Sequence, residues 1–134
     1  MQTIQQQLAK QAHTHIQTIT QTDRQKYATM AHKLPILIRS AGLIQALGFV
    51  QARGSHPQTL LLDHVALAIQ VGGITDGDSL VNESRNAPLE QYIFLTKRVM
   101  MALLWYKRFV ESEFGISARD AANDVETAVS APAT

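Results

Sequence analysis

The segment Pro88–Phe114, PLEQYIFLTKRVMMALLWYKRFVESEF, decides the fold. After its first residue it contains no Gly or Pro, so a helix opened by Pro88 can run for about 40 Å at about 1.5 Å per residue. Tyr92, Leu95, Val99, Ala102, Leu103, Tyr106 and Val110 recur at helical steps on one side, a stripe broad enough to lie on a bundle core. Lys97, Met101, Leu104 and Arg108 fall on the opposite side. Cations interleaved with Met and Leu suit a face that meets another surface. The alternative is that Met101 and Leu104 are also core and the cations snorkel outward.

Upstream, the same period recurs in shorter pieces. Ile4, Leu8, Ala12, His15 or Ile16, and Ile19 form a narrow stripe through a Gln-rich start, which reads as a first helix with one buried side. Thr22 and Gln25 make a capping-box pattern that predicts a second helix to about Lys33, with Tyr27, Met30, Ala31 and Leu34 inward and Arg24, Lys26 and Lys33 outward. Pro35 disfavours helical geometry at Leu34, so it is expected to end that helix or open a new short one over Ile36–Ser40, closed by Gly42. A further helix spans Leu43–Arg53, and Ser55 with Gln58 caps the next, which is apolar nearly all round and therefore central. Residues 72–87 have loop composition, with room for a short helical turn. After Gly115, Ser117–Val129 reads as a weak helix and the Ser-Ala-Pro-Ala-Thr ending as disordered. The expectation is an all-α, compact single-domain bundle of five to seven helices, with the bundle over residues 1–115 and a tail over 116–134.

A chain of 134 residues has room for one core. It has no cysteine, which excludes disulfides and thiolate metal sites and is compatible with a reducing cytoplasmic setting. No run reaches the roughly 18 apolar residues of a membrane span, so no membrane partner is expected. Net charge is only +1, but residues 1–60 carry six Lys and Arg against the single Asp23, while 61–134 carry six against ten acids. Such lopsidedness suits a polyanion on one face and protein on another; it also arises by chance.

Catalytic chemistry finds little support. His13 and His15 lie two apart, on different sides of a helix, and His32, His56 and His64 lack partners at ligand spacing, so no metal or cofactor is expected. Asp76, Asp78 and Glu83 resemble the opening of a calcium loop, yet Leu80 and Val81 stand where a ligand and a glycine are needed. Gly72-Gly73 follows a helix and lacks phosphate-loop spacing. No nucleophile elbow or carboxylate pair is evident, and an enzyme is not expected.

Two blocks are distinctive together: Tyr27–Val50, YATMAHKLPILIRSAGLIQALGFV, and Tyr92–Phe109, YIFLTKRVMMALLWYKRF. Their combination resembles the small subunit of the type III-B CRISPR RNA-silencing complex, the Cmr small-subunit family. The matching pieces are Leu34–Arg39, Gly42-Leu43, Tyr92, Thr96 and Trp105–Phe109; Ala41 and Gly48 depart from the usual Asn and Ala. The resemblance implies a helical bundle that stacks in several copies in an antiviral ribonucleoprotein, opposite the backbone subunits that hold the guide RNA, with target RNA between. It also implies that the small subunit supplies no catalytic group.

For such a role the chain needs cations at phosphate spacing on a rigid scaffold, binding without base readout. The candidates are Lys33, Arg39, Arg53, Lys97, Lys107 and Arg108. Arg39 and Arg108 rank first because guanidinium can fork two N–H groups onto one phosphate. Trp105 and Tyr106 are candidates for base stacking, although aromatics of an apolar helix are more often core. A competing reading makes residues 35–53 the helix-turn-helix of a DNA-binding regulator, but Leu43–Val50 offers little beyond Gln45 to read bases.

Overall fold

In the computed structural model, which describes residues 1–121, the Pro88 segment forms one helix over Leu89–Phe114. Pro88 stands at its N-cap, and Gly115 closes it in the left-handed conformation (φ 71°), where a side chain would be strained. The full order is α1 (Ile4–Gln17), a 3-10 turn (Gln21–Asp23), α2 (Arg24–Ala41), α3 (Leu43–Arg53), α4 (His56–Ala68), α5 (Gly77–Asn86) and α6 (Leu89–Phe114). Among the described residues there is no strand, and no helix is long and apolar enough to cross a membrane.

The predicted stripe of α6 is its buried face: Leu95, Val99, Ala102, Leu103, Tyr106 and Val110 enter the core, with Tyr92 half-buried at the rim. Thr3 and Gln6 close a reciprocal capping box, and Leu8, Ala12 and Ile16 seal α1 mainly onto α6. The apolar helix α4 is central, as its composition requires, and meets α1, α2, α3, α5 and α6.

Three expectations are corrected. α2 does not stop near Lys33; it continues through Pro35 to Ala41. Proline inside a helix removes one backbone bond at a cost of about 3 kcal/mol or more. Here Ala31, Leu34, Pro35 and Ile38 are all buried, and that packing offsets the loss. Thr22 is not a cap: it lies inside the 3-10 turn, which runs straight into α2, and its hydroxyl meets Thr20. Residues 72–87 are not mainly loop, because α5 occupies ten of them. Asp76 accepts from the Ser79 N–H at 2.8 Å, Asp63 accepts from the Gly77 N–H at 2.7 Å, and Leu80 and Val81 plug into the core. The Ser55–Gln58 box closes one arm: Gln58 accepts from the Ser55 N–H at 3.0 Å, while the Ser55 hydroxyl is buried without a partner. Residues 118–121 begin a helical turn capped by Ser117; the rest of the predicted tail lies outside the described residues.

At the centre, four helices share one polar network. Tyr106 of α6 donates to the His64 carbonyl of α4 at 3.1 Å. With its proton so used, the Tyr106 oxygen can only accept from His15 Nδ1–H of α1, at 2.6 Å. Tyr27 of α2 meets His64 Nδ1 at 2.7 Å, and the His15 and His64 rings stack with centroids 4.3 Å apart. Burial pushes the pKa of His15 down, and burial together with the neighbouring His15 pushes His64 to about 4.

Two outcomes are expected. Tyr106→Phe leaves His15 Nδ1 and the His64 carbonyl without their partner and lowers unfolding free energy by about 1–3 kcal/mol in urea titrations. Because the unfolded chain protonates His64 near pH 6.5 and the folded chain only near 4, stability is complete above 6.5 and falls as pH drops through that window. The loss reaches about 3 kcal/mol, read from urea midpoints at successive pH values; a midpoint unchanged from pH 7 to 4 contradicts it.

Candidate nucleic-acid interface

The six candidate cations fall into three groups. Arg39, in the last turn of α2, and Lys107 of α6 line one groove between those helices. Its other walls are Pro35, Ile36, Met100 and Leu104, with Ala118 beyond the end of α6, and it encloses about 140 Å³. Lys97 and Arg108 are exposed on the outer side of α6, about 16 Å apart along the axis. Lys33 and Arg53 lie toward α3: the Lys33 ammonium sits 5.1 Å over the Phe49 ring, and Arg53 is exposed in the last turn of α3. Arg39 and Lys107 are thus brought together, while Lys33 points about 120° around α2 from Arg39 and Arg53 joins neither group.

None of these six side chains meets a carboxylate among the described residues; the two acid contacts there involve histidines, His13–Glu113 and His32–Glu111. Unpaired cations can neutralise an external polyanion without first losing an internal partner. By contrast, Arg98 serves the fold: it donates to the Ile69 carbonyl past the end of α4 at 3.1 Å and lies over Phe94. Arg24 likewise rests on Phe114 at 4.6 Å.

The aromatic candidates separate. Tyr106 is fully buried in the core network, as aromatics of an apolar helix more often are, and cannot stack on a base. Trp105 is half-buried, donates from its indole to Gln5 at 2.7 Å, stacks on Phe109 and carries the Arg108 guanidinium 5.0 Å from its ring. Its neighbours hold the ring against α1, and Arg108 is pre-positioned by cation–π attraction.

Apolar side chains flank the cations. Ile36 is 58% exposed and Leu104 41% exposed at the groove, and Ile93 and Phe94 extend the patch along α6. Met101 is half-buried, so the outer face of α6 mixes cation and hydrophobe as its sequence implied. The floor of the groove holds a residue that spacing for metals passed over. His32 lies two turns before Arg39 on the same side of α2, a seven-residue relation that was there to be read. Nearby, the exposed Asp120 accepts from the Ser117 N–H and hydroxyl, which holds its carboxyl below the ordinary range, with Arg119 and His32 adding to the effect.

Gly42 does join two helices over residues 35–53, but α2 is continuous across Pro35 and the exposed side of α3 presents Ile44, Gln45 and Phe49, a face with one polar side chain among apolar ones. Residues 4–113 match the family model described as CRISPR-associated protein (Cas_Cmr5). The Cmr5 subunit of the CRISPR system Cmr of Thermus thermophilus is 44% identical over 89 residues, which span 66% of this chain and 75% of that protein. A crystal structure of a CRISPR-associated Cmr5 family protein, also from Thermus thermophilus, superposes with a TM-score of 0.76 at 36% identity, covering 83% of this chain and 97% of that one.

Removing Arg108 is expected to shift the emission of Trp105, the single tryptophan of the chain, while leaving the thermal midpoint within about 4 °C, because exposed cation–π pairs contribute only about 0.5–1 kcal/mol. Emission and melting scans of Arg108→Ala check this.

Proposed function

The chain belongs to the Cas_Cmr5 family of CRISPR-associated proteins, and from that premise we propose that it is the non-catalytic small subunit of a type III-B CRISPR ribonucleoprotein effector, holding target RNA against the guide RNA by backbone contacts. The observation that carries this reading is the set of cations on α2 and α6 without an acidic partner among the described residues: Arg39 and Lys107 in the groove, Lys97 and Arg108 beside it. They sit on helices and bring positive charge, which meets phosphates whatever the base sequence. A phosphodiester chain is the ligand such a surface suits.

The mixed cationic and apolar face of α6 supports the second half of the proposal, stacking of copies and contact with backbone subunits. Each copy can neutralise only a few phosphates, so a single subunit binds weakly; repetition along a filament multiplies the effect.

The purified protein should therefore bind single-stranded RNA weakly and without sequence preference. For every phosphate that a variant no longer neutralises, the salt slope should become shallower by about 0.7, which titrations at two or more salt concentrations measure. Salt-independent, sequence-selective binding contradicts the proposal. Arg39→Ala combined with Arg108→Ala should retain the thermal midpoint yet lose target RNA from the assembled complex during a salt wash. Unfolding of that double variant would make the two arginines structural.

A further inference from the structure

His32 is only 5% exposed, and its ring is fixed by a hydrogen bond from Nε2 to the Ile116 carbonyl at 3.0 Å. A carbonyl can only accept, so Nε2 carries the proton, and in the neutral ring Nδ1 is a bare acceptor. That Nδ1 is buried without a hydrogen-bond partner. Glu111 Oε1 stands 3.9 Å from it, itself an acceptor and beyond hydrogen-bond reach. A buried polar atom left unsatisfied is destabilising, and here it belongs to a residue that lines the same groove as Arg39 and Lys107.

The groove thus asks for a ligand that combines negative charge for two cations with a hydrogen-bond donor for one deep acceptor. A protein carboxylate brings the charge without the donor. A deoxyribose-phosphate chain has the same lack. A ribose-phosphate chain has both, because its 2′-hydroxyl is a donor beside the charged phosphodiester. The exposed apolar side chains of Ile36 and Leu104 suit the C–H edges of the sugar, and the Glu111 side chain, 43% exposed, is free to withdraw from above the ring.

We infer that the α2–α6 groove is a ribose-selective subsite, in which His32 Nδ1 accepts from a 2′-hydroxyl while Arg39 and Lys107 hold the adjoining phosphates. This rests on the RNA-binding reading and adds the sugar as the group that is recognised.

Fluorescence anisotropy on the purified full chain, with one short labelled sequence made as RNA, as DNA and as 2′-O-methyl RNA, tests it. RNA should bind several-fold tighter than either of the others, up to about tenfold for one buried hydrogen bond. His32→Phe, which keeps a packed ring and removes the acceptor, should bring RNA down to the level of DNA, whereas His32→Asn, whose amide oxygen can stand near the Nδ1 position, should keep part of the preference. Arg39→Ala with Lys107→Ala should weaken all three ligands alike. Equal binding of RNA, DNA and 2′-O-methyl RNA by the unmodified protein overturns the subsite and leaves RNA binding intact; no binding of any of them overturns both. The three-ligand comparison needs no variant, so it decides the matter even if His32→Phe does not fold.

Discussion

The fold turns on a polar constraint inside an otherwise apolar bundle. Tyr106, His15, His64 and Tyr27 come from four different helices, and each hydrogen bond among them joins two of those helices. Hydrophobic stripes alone allow helices to slide and rotate against one another by small amounts, because Leu and Val faces are forgiving. A buried hydroxyl between an imidazole and a carbonyl tolerates no such slip, since displacement strands several polar atoms at once. The network therefore sets the register of α1, α2, α4 and α6. Every surface built on two of these helices, the α2–α6 groove first among them, inherits that register.

Much of this was legible in the chain, and the reasons are local. Pro88, Gly115 and the spacing from Leu95 to Val110 define α6 almost to the residue, because a long helix with one apolar side has a single strong periodicity. The apolar α4 could be placed at the centre from composition alone. What failed did so where tertiary packing overrides local preference. Pro35 reads as a stop, yet buried neighbours hold the helix through it; Asp76-Gly77-Asp78 reads as a turn, yet Leu80 and Val81 draw α5 onto the core. For the site, the cations on α6 could be assigned to its outer face, but the pairing of Arg39 with Lys107 depends on how two helices distant in sequence cross. The histidines were the least legible. Partners of His13, His15, His32 and His64 lie 37 to 100 residues away, and a search at metal-ligand spacing looks for the wrong neighbour.

The surface chemistry follows a division of labour among basic residues of one type. Arg24 and Arg98 spend their guanidinium groups on Phe114, Phe94 and a carbonyl, so they belong to the fold. Arg39 and Arg108, like Lys97 and Lys107, have no acidic partner among the described residues. Charge counting alone does not distinguish these classes, and a net charge of +1 hides both. For the proposed role of holding RNA, local unpaired charge on a stiff support matters more than the total.

Pro35 carries a mechanical corollary. Lacking an N–H, it leaves the Ala31 carbonyl without its rung, so at that point α2 is held by the burial of Ala31, Leu34 and Ile38 and not by its own ladder. His32 stands before that gap and Arg39 after it, so the spacing of the two along the cleft is set by side-chain packing against the core. A cavity made beneath Pro35 would therefore be felt at the surface, in the distance between the acceptor and the guanidinium.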